Sequence, residues 1–160
     1  MPSYKEEKYI EQAIRSVQKQ TVRSWELIVV DDRSTDKTAE QIRRLAAEDM
    51  RIIPVYSEMN HGAAESRNIA LRQCRGEFIA LLDADDIWRP QKLEKQLEKA
   101  RETDADIIYT SYAMIDEQGK RCYTDFIVEE TTNLKAMLNC NTLGCSPLMM
   151  NAKALSGHAF

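Results

Sequence analysis

The 160-residue chain has few of the cysteine and histidine residues that bind zinc or take part in redox chemistry. It contains four cysteines and two histidines, and no two cysteines form a C-x-x-C pair. A structural zinc site, which needs four closely spaced cysteine or histidine ligands, is therefore not predicted. Reduced thiols in the cytoplasm fit this pattern, and a bridge between Cys140 and Cys145 remains an open alternative.

Long apolar runs and long basic runs are also missing. No stretch approaches the ~20 apolar residues of a membrane span, and the first residues are polar and charged, unlike a signal peptide. The sequence thus predicts a cytoplasmic protein without a transmembrane segment, with the inner face of the membrane as an alternative location. A net charge of −4 without a basic run argues against a nucleic-acid partner.

Two nucleotide-binding signatures are absent as well. The chain has neither G-x-x-x-x-G-K-[ST] nor G-x-G-x-x-G, so neither a P-loop NTPase nor a dinucleotide-binding domain of the usual kind is predicted. The composition itself is that of a globular protein, with 43% hydrophobic and 30% charged residues. One domain over residues 1–160 is expected.

Strand and helix patterns alternate along the chain. Such alternation predicts an α/β fold with a mostly parallel sheet flanked by helices, and a turn signal at 116–119 predicts an antiparallel element near the C-terminus. A capping box of Ser3 and Glu6 predicts that the first helix begins directly after Tyr4. The predicted strands are 25–30, 51–56, 78–82, 107–115, 120–128 and 143–151, and the predicted helices run to about 17, to about 48, over 63–74, from 90 and over 131–139.

Polar residues follow several of the predicted strands. They are Pro2-Ser3-Tyr4, Asp31-Asp32, Ser57 to Asn60 and Asp83 to Asp86. Right-handed crossovers bring the carboxyl ends of parallel strands to one edge of the sheet, where open α/β sheets bind their ligands. The sequence therefore predicts a site built from these four segments.

The segment after the strand at 78–82 is the most acidic of the four. Asp83, Asp85 and Asp86 lie within four positions, and carboxylates so close repel one another by about 1 kcal/mol or more per pair. A hard cation such as Mg²⁺ or Mn²⁺ would relieve this repulsion. The alternative is a solvated acidic turn that caps the helix beginning near Pro90.

Six segments in order resemble the start of a family 2 glycosyltransferase of the GT-A fold. The likeness covers about residues 1–115, with a weaker echo at 144–160. Three positions depart from the family pattern: Lys5 replaces the usual Asn, Arg33 replaces a residue that is often small, and Glu65 takes a position that is commonly small. The segments are MPSY at 1–4, SVQKQT at 16–21, WELIVVDDRSTD at 25–36, NHG at 60–62, RNIAL at 67–71 and GEFIALLDADDIW at 76–88.

The resemblance implies a transferase that moves a sugar from a nucleotide donor, often a UDP-sugar, to an acceptor. By this likeness Tyr4 and Asp32 hold the base, helped by the backbone near Pro2. Asp83 lies near the ribose and the donor sugar. Arg67 either leans toward the donor or forms a salt bridge with an acid of the 83–86 turn.

The same resemblance implies a divalent cation, Mn²⁺ or Mg²⁺. Asp85 is the best candidate ligand, and Asp86 is its neighbour in the same role. Trp88 is interpreted as a packing residue rather than a platform for the sugar.

The resemblance also divides the chain into two parts. Residues 1–115 correspond to the donor-binding half, and 116–160 correspond to the start of the acceptor side. Family members carry an acidic general base for an inverting transfer, but 131–160 contains no Asp or Glu. His158 matches no family motif, so the general base is expected to be absent and the catalytic residue stays unknown.

Two other functions and one assembly remain as alternatives. The chain could bind a nucleotide sugar without turnover, as a catalytically incomplete fragment. Asp31-Asp32 also resembles the acidic pair of a receiver domain, which would indicate a phosphorylation switch. An apolar rim is expected where the missing first strand and the acceptor region would lie, and self-association into a homo-oligomer would cover it. The acceptor, whether polysaccharide, lipid-linked sugar or another molecule, is not predicted.

Overall fold

The computed structural model describes residues 1–139, 143–155 and 160. Six strands and five helices alternate along these residues, as the sequence predicts. The strands are β1 (Pro2–Ser3), β2 (Leu27–Asp31), β3 (Ile52–Tyr56), β4 (Phe78–Ala80), β5 (Ile107–Ile108) and β6 (Met149–Asn151). The helices are α1 (Ile10–Gln18), α2 (Thr38–Glu48), α3 (Gly62–Leu71), α4 (Lys92–Thr103) and α5 (Leu134–Asn139), and a 3₁₀ turn follows at Ala152–Leu155.

The first sheet consists of β1, β2 and β3, all parallel. The central strand β2 is buried over its whole length, because helices cover both of its faces. Leu27 and Val29 pack with α1 and α2, whereas Ile28 and Val30 pack with α3. A continuously apolar strand is what burial on two faces requires.

The second sheet has the order β4-β6-β5, and β6 runs antiparallel to both neighbours. The sequence predicted residues 78–82 as a strand of the parallel sheet, buried on both faces. The structure instead pairs β4 with β6, with Ile79 opposite Met150, and leaves β4 partly exposed. The α/β class with an antiparallel element near the C-terminus is nevertheless confirmed.

The predicted strands 107–115 and 120–128 are mostly irregular. Only Ile107–Ile108 forms a strand, and two isolated antiparallel bridges join Tyr112 to Phe126 and Ile115 to Arg121. Apolar side chains of this segment face solvent, with Ile127 81% exposed. Since no apolar layer covers the hairpin in the described structure, it gains little from burial.

The predicted capping box does not form. Helix α1 begins at Ile10 with Tyr9 as its N-cap and without a side-chain cap bond. Ser3 belongs to β1, where its backbone oxygen accepts a hydrogen bond from the Asp32 N–H at 2.9 Å and its hydroxyl donates to the Val30 carbonyl at 3.3 Å. Parallel strand pairing thus takes the groups that the box would have used.

Two of the three departures from the family pattern share a backbone conformation. Lys5 has φ 59° and Arg33 has φ 65°, which is the left-handed region that side chains other than Asn and Gly rarely adopt. The two turns lie side by side, because the Lys5 N–H donates to the Ser34 hydroxyl at 3.0 Å. The strained positions therefore lie where two loops meet.

A cavity of about 580 Å³ separates the two sheets. Residues of β2 and β4 line it, and its wall is mainly apolar, with Ile28, Cys74 and Ile79 as examples. Cys145 is a free thiol, whereas Cys140 lies outside the described residues.

Candidate functional site

A cleft of about 340 Å³ opens at the carboxyl ends of β1 and β2, beside the turn that follows β4. It contains every residue that the sequence predicted for the nucleotide sugar, although these come from four separate segments. Asp86 follows in the same turn but does not line the cleft. The predicted residues that line it are Pro2, Tyr4, Asp32, Arg67, Asp83 and Asp85.

Tyr4 forms one wall of the cleft directly after β1. Its side chain is 44% exposed, and the Lys5 ammonium lies 5.2 Å from the centre of its ring. An accessible aromatic face at this position can stack on a nucleotide base. Pro2, in β1, continues the same wall.

Asp32 lies at the back of the cleft and is 2% exposed. Its carboxylate accepts hydrogen bonds from the His61 N–H at 2.9 and 3.1 Å and from the Gly62 N–H at 2.7 Å. It therefore holds the amino end of α3, for which His61 is the N-cap residue. The side chain of Asn60 also donates to the Asp32 carbonyl at 3.1 Å.

Asp31 has a structural role beside it. Its Oδ2 accepts the Ser34 N–H at 3.2 Å, and the side chain is almost fully buried. Among the described residues, its Oδ1 has no hydrogen-bond partner.

Arg67 and Asp83 form an ion pair inside the cleft. Arg67 Nη2 donates to Asp83 Oδ1 at 2.6 Å, and the Arg67 side chain is 16% exposed. The guanidinium also lies 5.8 Å from the centre of the Phe160 ring. The Asn68 side chain donates to the Phe160 carbonyl and accepts the Phe160 N–H. Of the two sequence-based alternatives for Arg67, the salt bridge is therefore present.

Asp85 and Asp86 are the exposed acids of the turn. Burial of the carboxyl group raises the pKa of Asp86; a hydrogen bond from Ser146 lowers it, and the charges of Asp85 and Asp83 raise it further. Among the described residues, no three His, Cys, Asp or Glu side chains converge as metal ligands. One or two carboxylates suffice for Mg²⁺ or Mn²⁺ when phosphate oxygens and water complete the coordination shell.

Two residues near the site were not predicted to bear on it. Glu6 lines the cleft, and burial followed by the charges of Asp85 and Asp36 raises its pKa. Ser146 accepts the Asp83 N–H at 2.9 Å with its hydroxyl and the Trp88 indole N–H at 3.1 Å with its carbonyl. A single serine in an apolar segment gives no sequence signal for such a contact.

Trp88 is buried, and its backbone N–H donates to the Ser16 hydroxyl at 3.1 Å. This burial agrees with the prediction that Trp88 is a packing residue. The Lys92 ammonium lies 3.9 Å from the centre of the Trp88 ring. Burial lowers the pKa of Lys92 to about 7.

Curated relatives resemble the chain over nearly its whole length. The chain is 37% identical over 150 residues to the putative teichuronic acid biosynthesis glycosyltransferase TuaG of Bacillus subtilis, covering 94% of this chain and 60% of that protein. It is 37% identical over 161 residues to the UDP-Glc:alpha-D-GlcNAc-diphosphoundecaprenol beta-1,3-glucosyltransferase WfgD of Escherichia coli, covering 100% and 62%. The chain thus spans about three fifths of these relatives.

Solved structures give the same result for the fold. The crystal structure of S. aureus TarS 1-349 in complex with UDP superposes with a TM-score of 0.78 at 27% identity, over 97% of this chain and 46% of that one. A second crystal structure of TarS 1-349, in complex with UDP-GlcNAc, gives a TM-score of 0.79. The GT-A fold predicted from the sequence is therefore confirmed.

The family comparison covers almost the entire chain. The model described as Glycosyl transferase family 2 matches residues 1–155. This range includes the cleft, the acidic turn and both sheets. The chain accordingly belongs to glycosyl transferase family 2.

Proposed function

We propose that the chain is the donor-binding part of a glycosyltransferase that moves a sugar from a nucleoside diphosphate sugar, with UDP as the nucleotide, to an acceptor hydroxyl. The observation that carries the proposal is the cleft that gathers all six predicted residues. UDP as the nucleotide is supported by the UDP and UDP-GlcNAc complexes of TarS. It is also supported by the UDP-Glc donor in the name of the E. coli relative.

In this proposal the base packs on Tyr4, in front of Pro2 and Asp32. Tyr4 offers an exposed ring, whereas the carboxylate of Asp32 is already engaged by two backbone N–H groups. A carboxylate has about four lone-pair sites, so Asp32 retains capacity for one base N–H while it holds the loop. The same side chain would then link base recognition to the position of α3.

The diphosphate lies toward Asp83 and Asp85. Asp85 and Asp86 would hold Mn²⁺ or Mg²⁺, which neutralises the charge of a diphosphate leaving group when bound. Arg67 is committed to Asp83 by a 2.6 Å contact, so its role in the proposal is to hold Asp83 toward the ribose. Mutual pairing also lowers the cost of keeping both charges in a partly buried position.

The proposed transfer inverts the configuration of the sugar and delivers it to an acceptor hydroxyl. An inverting transfer needs a base that takes the proton of the acceptor hydroxyl, and the sequence 131–160 offers no carboxylate for it. The alternative is that this chain binds the nucleotide sugar without transferring it. The E. coli relative is named for an undecaprenol-linked acceptor, and a lipid-linked sugar is one candidate here.

The receiver-domain alternative has lost its basis. The glycosyl transferase family 2 model matches residues 1–155, and loop N–H groups engage the carboxylates of Asp31 and Asp32. Within the described residues, no helix combines the length and apolar character of a membrane span. A cytoplasmic location and a homo-oligomer stay predictions, and size-exclusion chromatography tests the latter.

Calorimetric titration with UDP tests the proposal. UDP is expected to bind saturably, and more tightly with Mn²⁺ than with EDTA, because the cation bridges the diphosphate and the acidic turn. UMP, which lacks the second phosphate, is the matched control and should show little response to Mn²⁺. Absence of saturable UDP binding at millimolar concentration would refute the proposal. Release of free sugar from a UDP-sugar separates the transferase from the binding fragment.

A further inference from the structure

The hydroxyl of Ser146 lies against the acidic turn between β4 and α4. Its oxygen accepts the backbone N–H of Asp83 at 2.9 Å. The Ser146 carbonyl accepts the indole N–H of Trp88 at 3.1 Å. One buried serine, 6% exposed, thus contacts the beginning and the end of the turn.

The contact with the Asp83 N–H requires a hydroxyl group on the side chain. A hydroxyl oxygen has two acceptor positions, so the serine side chain can accept the Asp83 N–H. Neither alanine nor valine can do so. Threonine retains the hydroxyl and adds only a methyl group.

Asp85 lies between the two residues that Ser146 holds. It is exposed, and its carboxylate makes no hydrogen bond or ion pair with the described residues. Its direction therefore depends on the backbone on either side, where the Asp86 N–H also closes a turn onto the Asp83 carbonyl at 3.2 Å. The contacts of Ser146 with Asp83 and Trp88 therefore restrict the backbone of Asp85, which lies between them.

Ser146 is itself held firmly in place. The Leu148 N–H donates to the Cys145 carbonyl at 2.9 Å, and the Leu81 N–H donates to the Leu148 carbonyl at 3.2 Å. From α4, the buried Gln96 donates to the Pro147 carbonyl at 2.8 Å. The segment 145–148 is thus anchored to the extension of β4 and to α4, so that it can act as a rigid support.

We infer that Ser146 is a positioning residue that fixes the turn at 83–88 so that Asp85 presents its carboxylate to the cation-bound diphosphate. This inference rests on the proposed function. It also means that a segment 63 residues away from Asp83 in sequence, which the resemblance places on the acceptor side, belongs to the donor site. Supporting contacts of this kind typically change metal affinity by 10- to 100-fold.

The test compares Ser146→Ala with Ser146→Thr in UDP titrations with Mn²⁺ and with EDTA. Ser146→Ala is expected to weaken UDP binding about tenfold in Mn²⁺ and to leave binding in EDTA nearly unchanged. Ser146→Thr should restore most of the loss. Ser16→Ala is the matched control, because it removes a buried serine bond to Trp88 without touching Asp83 or Asp86, and it should keep the response to Mn²⁺.

The possible outcomes separate the inference from the proposed function. Failure of the unchanged chain to bind UDP would refute the proposed function itself. Wild-type binding together with an unchanged Mn²⁺ response in Ser146→Ala would overturn the inference alone. If Ser146→Ala does not fold, Ser146→Val and Ser146→Thr provide a pair of equal shape that differs in the hydroxyl. Equal Mn²⁺ responses in this pair, or loss of folding in Ser146→Val alone, would assign Ser146 a structural role and overturn the inference.

Discussion

The acidic turn after β2 and the acidic turn after β4 have similar sequences and different surroundings. Asp31 and Asp32 are 3% and 2% exposed, and backbone N–H groups of neighbouring loops occupy their carboxylates. Asp85 and Asp86 are exposed, and Asp85 has no hydrogen-bond partner in the described structure. The first turn organises the wall of the cleft, and the second keeps its oxygens for a ligand.

The difference comes from where the following chain goes. After β2 the loop folds back, and the loop before α3 points two N–H groups at Asp32. After β4 the chain leaves through Trp88 toward α4. Arg67 pairs with Asp83, but no hydrogen-bond donor among the described residues reaches the carboxylate of Asp85. The number of donors aimed at a carboxylate, rather than the number of acids in the turn, separates a structural turn from a binding turn.

The largest expected effect is on the first turn. Replacing Asp32 with alanine should lower the free energy of unfolding by about 3 kcal/mol, because two partly buried N–H groups lose their acceptor and α3 loses its cap. Urea denaturation followed by circular dichroism measures this. Asp32→Asn keeps one carbonyl oxygen and should lose roughly half as much. A loss below about 1 kcal/mol for Asp32→Ala would show that the two turns do not differ as described.

A substitution in the second turn should affect UDP binding rather than stability. Asp85→Ala should change the free energy of unfolding by less than about 0.5 kcal/mol, because its carboxylate contacts no donor in the described residues. The tightening of UDP binding by Mn²⁺ should nevertheless disappear, which the titration with Mn²⁺ and EDTA measures. Asp116→Ala, an acid of the distant hairpin, is the control for UDP binding. Retained Mn²⁺ dependence in Asp85→Ala would remove Asp85 as a metal ligand.

The smallest expected effect concerns Glu6, which lies between the two turns. Burial and the charges of Asp85 and Asp36 raise its pKa above the usual 4.5, so the folded state binds this proton more tightly than the unfolded state. Its contribution to stability is therefore fully present below pH 4.5 and is lost as the pH rises through the folded pKa.

Glu6→Gln should abolish that pH dependence. The variant should be more stable than the wild type at pH 7, by about 0.5 kcal/mol or less because the site is partly solvated, and the gain should vanish near pH 4. Thermal unfolding across this pH range measures it. In an Asp85→Ala background the gain should shrink, whereas an unchanged gain would exclude any repulsion between Glu6 and the second turn.

Much of the site could be predicted because its residues follow strands. Pro2, Tyr4 and Asp32 come at the ends of β1 and β2, and these strands are parallel neighbours, so their carboxyl ends necessarily meet. Asp83 and Asp85 were found from the apolar run before them. Their strand lies in a different sheet from the one expected, but it still delivers the turn to the cleft.

The sequence by itself determined the buried strand β2, the helices on its two faces and the set of acids at the cleft, because periodicity and composition act over a few neighbouring residues. Only the tertiary structure decided that β4 pairs with β6, that Asp32 caps α3, that Arg67 is bound to Asp83 and that Ser146 supports the acidic turn. These contacts join residues between 16 and 73 positions apart. Local patterns of apolar and polar residues carry no information about which distant donor will meet which carboxylate.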